Sequence, residues 1–184
     1  MIKAMVFFAE GYEEVEALTV VDLLRRAKFE VEMVSMTGNI LVTSSHKVTV
    51  QMDTLFEDAD VESADILVLP GGMPGTTNLL AHEGLKQHLL EFAKREDKKI
   101  AAICAAPSVL GAHGILQGKA ACCYPGFEDK LTGATVKKEE VVTDGNIITS
   151  RGLGTAIPLG AAIIEAYKGS GEKKAILDAI VYMQ

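Results

Sequence analysis

Three short apolar runs limit what this chain can fold into. Ile2 to Phe8 is apolar apart from Lys3, Ile66-Leu-Val-Leu69 follows Asp65, and Ile100-Ala-Ala-Ile103 follows Lys99. Short runs without polar alternation belong to strands covered on both faces, as in a parallel sheet. Helical periods stand between them: Val15, Leu18, Val21 and Leu24 within Val15 to Ala27, and Leu85, Leu89, Leu90 and Phe92 within Glu83 to Lys94. Strands alternating with helices imply right-handed crossovers, and hence an α/β fold with a mostly parallel central sheet and helices on both faces.

The remaining segments fit that frame. Phe29 to Ser35 alternates as a second strand, and Ile40 to Thr43 with Lys47 to Met52 reads as a hairpin around Ser44-Ser45-His46. Lys119 to Cys123 and Ile147 to Ser150 are further short strands, with Asp144-Gly145 turning the chain back from Val141-Val142. Two closing helices, Thr155 to Tyr167 and Lys173 to Tyr182, are separated by Gly169-Ser-Gly171. No repeat, low-complexity tract or linker divides the 184 residues, so one domain over 1–184 is expected.

A formal charge of -7 disfavours nucleic-acid binding. No stretch approaches the roughly 18 apolar residues of a membrane span, and the opening Met-Ile-Lys-Ala-Met-Val-Phe-Phe lacks the length and cleavage site of a signal peptide. Three cysteines, two of them adjacent (Cys122, Cys123), suit a reducing cytoplasm. Without C-x-x-C or a His/Cys cluster of zinc spacing, no metal is expected.

The chemistry gathers at Cys104, where the third apolar run stops and Pro107 starts a helix that runs to His113. Ala102 and Ala106 stand two residues before and after the cysteine, the small-x-nucleophile-x-small spacing of a strand-to-helix elbow. Such a turn lifts the side chain to the mouth of a helix, whose free N–H groups favour a thiolate. Pro70-Gly-Gly72 ends the preceding strand, and a glycine N–H approaches a developing oxyanion closely. An oxyanion pocket from the N–H groups of Gly72 and Ala105 is therefore expected. The first strand leads into Glu13-Glu14-Val15-Glu16, and a carboxyl facing a thiolate stays protonated more readily and can shuttle a proton. Spacing alone leaves Glu13, Glu14 and Glu16 equivalent. All three loops follow strand C-termini, where α/β sheets place their sites. None of the four histidines, His46, His82, His88 and His113, is close in sequence to the thiol; His113 is roughly 13 Å away along a helix. Cys122 and Cys123 read as strand residues, one inward and one outward.

Jointly, Glu10-Gly-Tyr-Glu-Glu-Val-Glu16, Val68-Leu-Pro-Gly-Gly72, Ala101-Ala-Ile-Cys-Ala-Ala-Pro107 and Thr149-Ser-Arg-Gly-Leu-Gly-Thr155 resemble the ThiJ/PfpI family, in its parkinsonism-associated, protein-deglycase branch. The resemblance runs nearly end to end. It implies a flavodoxin-like sandwich, a homodimer, and Cys104 as nucleophile or redox-sensitive thiol, with Glu16 on the sulfur and Gly72 and Ala105 as the oxyanion groups. Gly71, Tyr124 and His46 would line the site. The implied activities are a cofactor-free glyoxalase III converting methylglyoxal to lactate and a deglycase acting on glycated protein adducts. The implied alternative is an oxidative-stress sensor or chaperone whose Cys104 becomes a sulfinate.

The sequence departs from that pattern in two places. Tyr124 stands before Pro125 where relatives often have His, and His46 stands where relatives often carry an Arg that reaches the partner subunit. Ala105 occupies the position of the peptidase branch's His, which argues against proteolysis, and the His-x-Glu of amidotransferases has no counterpart after His113. The first loop also lacks the Ser/Thr-Gly cradle of a flavin phosphate.

Overall fold

The computed structural model of the chain describes residues 1–182. The strands are β1 (Lys3–Phe8), β2 (Glu30–Ser35), β3 (Leu41–Thr43), β4 (Thr49–Gln51), β5 (Thr54–Leu55), β6 (Ile66–Leu69), β7 (Lys99–Ile103), β8 (Ala120–Ala121), β9 (Thr135–Val136), β10 (Val141–Asp144) and β11 (Ile147–Ser150). The helices are α1 (Glu14–Arg26), α2 (Gly75–Ala81), α3 (Glu83–Ala93), α4 (Pro107–Ala112) and α5 (Ala156–Ala179). A seven-stranded sheet runs β10-β11-β7-β6-β1-β2-β5. It is parallel throughout except for β10, which pairs antiparallel with β11. This is the mostly parallel sheet expected from the alternating runs, in the flavodoxin-like arrangement that the resemblance implies.

The apolar runs are continuous because both faces of their strands are covered. In β1, Ala4, Val6 and Phe8 face one core while Met5 and Phe7 face the other, and β6 and β7 divide in the same way. The first core is closed by Val20, Val21 and Leu24 of α1 with Leu159, Ile163 and Ile164 of α5. The second is closed by Leu85, Leu89 and Phe92 of α3 with Val109 and Leu110 of α4. From β1 the chain steps to β2 on one side and to β6 on the other, so the switch point lies between β1 and β6.

Several local expectations change. Lys119 to Cys123 yields only the two residues of β8, which pair with β9 outside the main sheet. As a result Cys122 and Cys123 are both buried rather than split between inside and outside: Cys122 lies against Thr149, whose Oγ1 is 3.6 Å from its sulfur, and Cys123 sits in the second core. Helix α2 forms in a stretch to which the sequence pattern assigns no element. The two closing helices are separated at Gly169 as expected, at φ 82° and ψ 171°, but the second resumes directly after it and ends at Ala179 rather than Tyr182. No helix among the described residues is long and apolar enough to cross a membrane.

Buried Asn146 closes the sheet against α3. Its Nδ2 donates to the carbonyls of Phe92, Ala93 and Arg95 at 3.1, 3.2 and 3.0 Å around the end of α3, where Phe92 O also accepts the Arg95 N–H. Asn146→Ala takes this donor from the Ala93 and Arg95 carbonyls, while Phe92 O keeps the Arg95 N–H, and urea unfolding should show a loss of about 1–3 kcal/mol.

Candidate active site

The loops after β1, β6 and β7 meet at the switch point. In the first, Glu13 caps α1 by accepting the Glu16 N–H at 2.7 Å. The one helical turn from this cap aims Glu16 inward, so that it is 1% exposed. Glu14 instead turns outward to His46, with 3.1 Å from Oε2 to Nδ1. The three glutamates that spacing could not separate thus have three roles.

The second loop passes through Gly71 and Gly72. Gly71 N–H donates to Glu16 Oε2 at 3.0 Å, and its carbonyl accepts from Glu13 N at 2.9 Å. A Cβ on Gly71 would stand 2.6 Å from Glu16 Oε2, 2.5 Å from Cys104 Cβ and 3.0 Å from Cys104 Sγ. Both functional atoms therefore rest against one bare Cα. Gly72 has φ 90°, and a side chain there would run into the backbone of Tyr12 and Glu13. Gly75 completes this arrangement, a part that sequence reasoning misses. Its N–H donates to Gly11 O at 3.1 Å, and its Cα lies against Tyr12. The signal is present in the spacing of Pro-Gly-Gly-Met-Pro-Gly75, because two backbones in contact require glycine.

In the third loop Cys104 holds φ 64°, the left-handed region that a non-glycine residue seldom takes. Its N–H donates to Ser150 O at 3.1 Å, and its carbonyl accepts from Tyr124 N at 2.8 Å, which clamps the elbow on both sides. The thiol is partly exposed, and the N–H groups of Gly72 and Ala105 act on its sulfur in the direction that favours the thiolate.

The electrostatics correct one expectation. The N–H groups do favour the thiolate, but burial outweighs them, and with the Glu16 charge it pushes the Cys104 thiol up to about 12. Burial likewise lifts the Glu16 carboxyl to about 7, against the thiol and the Gly71 N–H, which favour its ionised form. Two charges in this space repel, so the pair carries one negative charge at most across the neutral range. The thiolate is available when the proton sits on Glu16.

Because folding raises the Glu16 pKa from 4.5 to about 7, the folded state holds this proton more tightly than the unfolded chain. Its contribution to stability is fullest below pH 4.5 and is lost as the pH rises through 7. Glu16→Gln keeps an acceptor for Gly71 N–H and removes the titration. Its stability relative to the parent should therefore climb by up to about 3 kcal/mol over that window. Urea unfolding at a series of pH values measures this, and a difference that does not vary with pH would contradict it.

Tyr124 borders Gly152 near Glu16, and His46 sits over the start of α1. The half-exposed Tyr124 ring lies over Gly152, 3.3 Å from where a Cβ would be, and Glu16 Oε1 is 3.9 Å from the same point. Exposed His46 is held at 3.1 Å by Glu14 and 3.8 Å by Glu13. These three bring ligand-type atoms within 4.8 Å of one another, although Glu13 Oε2 is already engaged by the Glu16 N–H. The other histidines serve the fold: His82 Nδ1 caps α3 by accepting the Leu85 N–H at 3.1 Å, His88 lies beside Phe56, and His113 ends α4.

A parallel sheet with a strained cysteine at its switch point, facing a buried carboxyl across a Gly-Gly loop, defines a class of α/β protein built around one thiol. The chain belongs to the DJ-1/PfpI family, whose pattern matches residues 2–166. It is 39% identical over 166 residues to protein DJ-1 homolog B of Arabidopsis thaliana, covering 90% of this chain and 38% of that longer relative. It is 38% identical over 172 residues to the Parkinson disease protein 7 homolog of Danio rerio, covering 91% and 90% of the two chains. With a deglycase of Pyrococcus abyssi it shares 32% identity over 155 residues, covering 82% and 90%. The solved structure of oxidized Toxoplasma gondii DJ-1 superposes with a TM-score of 0.95 at 34% identity, over the full length of both chains.

Proposed function

We propose that this protein is a cofactor-independent enzyme acting on reactive carbonyls, of the glyoxalase III and protein deglycase type. The observation that carries the reading is the placement of Cys104 Sγ and Glu16 Oε2 against the same Gly71 Cα. In the glyoxalase reaction the Cys104 sulfur adds to the aldehyde carbon of methylglyoxal, and the carbonyl oxygen takes a proton to give a hemithioacetal. Glu16, titrating near 7, removes the proton from that carbon and returns one to the neighbouring ketone carbon. The product is a lactoyl thioester, which water cleaves to lactate and free thiol. The N–H groups of Gly72 and Ala105 stabilise the oxygen's developing charge. Tyr124 donates a hydrogen bond and leaves the base role to Glu16. An aldehyde adduct on a protein side chain would offer the thiol the same carbon. Lactate formation from methylglyoxal by the purified protein tests the reading, and no activity at high enzyme concentration would sink it.

A second reading is favoured by the partly exposed thiol and by the similarity to a relative solved in an oxidized form. Here peroxide converts Cys104 to the sulfinate as part of a stress-sensing or chaperone role. Intact mass after mild peroxide should then show two added oxygen atoms at Cys104 before Cys122 or Cys123 reacts.

A further inference from the structure

Glu13 has no role in the reaction above, yet it touches both loops that build the site. It is the N-cap of α1 and is 8% exposed. Its Oε2 accepts the Glu16 N–H at 2.7 Å, and its own N–H donates to Gly71 O at 2.9 Å. Gly72 is tied to it as well, because any side chain there would strike the Glu13 backbone. Helix caps are usually Ser, Thr, Asp or Asn, which satisfy the free N–H with a short side chain. A glutamate must fold back to do so, and it brings a full negative charge to the residue whose backbone it caps.

We propose that Glu13 is a positioning residue, which locks Glu16 and the Gly71-Gly72 loop into register around Cys104 and holds a negative charge beside the Glu16 carboxyl. The inference rests on the reading of Cys104 and Glu16 as a reacting pair. Geometrically, one residue fixes the origin of the Glu16 helix and the direction of the Gly71 peptide. A change at Glu13 therefore alters the gap between carboxyl and thiol with no residue in contact with substrate being changed. Electrostatically, a carboxylate next to Glu16 opposes a second negative charge and so favours the protonated acid. The other titratable groups around this point are Glu14, His46, Tyr12 and Cys104. His46 faces Glu14 first and Glu13 second, from the exposed side, and its charge is weakened there by solvent.

Three variants separate the two effects. Glu13→Gln keeps an oxygen for the cap and removes the charge, Glu13→Ser keeps a short uncharged cap, and Glu13→Ala removes both. The first readout is the pH dependence of Cys104 alkylation by iodoacetamide in the intact protein, which needs no turnover. In the parent, the rate should rise as the pair loses its first proton near 7. With Glu13→Gln that rise should move about half a pH unit or more downward. The second readout is kcat/KM with methylglyoxal, expected to fall about tenfold or more in Glu13→Ala and to recover largely in Glu13→Ser. If Glu13→Ala does not fold, Glu13→Gln and Glu13→Ser decide. An alkylation profile unmoved in Glu13→Gln overturns the electrostatic role, and a Glu13→Ser variant no better than Glu13→Ala overturns the positioning role. A parent that alkylates as described but forms no lactate would overturn the proposed reaction instead, and the alkylation readout would still test Glu13.

Discussion

Cys104→Ala is expected to abolish lactate formation from methylglyoxal, and Glu16→Gln to slow it by roughly 10²–10⁴-fold. The first change removes the sulfur that bonds the aldehyde carbon. The second keeps the acceptor for the Gly71 N–H but can neither take nor return a proton. Since the two side chains act as a unit, the double variant should be no slower than Cys104→Ala alone. Steady-state lactate assays measure all three, with circular dichroism to confirm that each variant folds. A Glu16→Gln enzyme within a few-fold of the parent would remove Glu16 from the proton transfer and move that role to a group such as Tyr124.

The second large effect concerns Gly71→Ala. The added methyl would stand 2.5 Å from Cys104 Cβ and 2.6 Å from Glu16 Oε2. Cys104 is held by Ser150 and Tyr124 through its backbone, and Glu16 is fixed by the Glu13 cap, so neither neighbour yields easily. Overpacking of this kind costs about 1–3 kcal/mol. It should appear as a lower urea midpoint together with turnover near that of Cys104→Ala. A Gly71→Ala variant of parental stability and activity would mean that thiol and carboxyl do not need this close approach.

The sheet is legible in the sequence because β1, β6 and β7 are buried on both faces and therefore carry unbroken apolar runs. The pairs β3–β4 and β10–β11 are legible from their turn residues. Helix α2 escapes because Gly75-Thr-Thr-Asn has weak helical preference, and tertiary contacts with the Gly11–Tyr12 backbone hold its first residue. The ladder β8–β9 joins segments distant in sequence through only two pairs, so no local pattern announces it. At the site, Cys104 and the Gly-Gly loop are readable from residue type and spacing. Among the glutamates, the helical turn that separates an inward Glu16 from a capping Glu13 and an outward Glu14 depends on where α1 begins, and sequence patterns fix helix ends poorly. The direction of the thiol shift is misread from sequence because helix-end N–H groups are visible there whereas burial is not.

The left-handed backbone of Cys104 places durability and chemistry in opposition at a single residue. An L-residue with a side chain occupies φ 64° at an expense of roughly 1–2 kcal/mol that glycine avoids. Selection for thermal robustness alone would therefore drift toward glycine or asparagine at this position and discard the thiol. On the proposed reading, a cysteine there is maintained by what its sulfur does. Consensus or stability-guided redesign of this scaffold should hold that residue fixed from the outset.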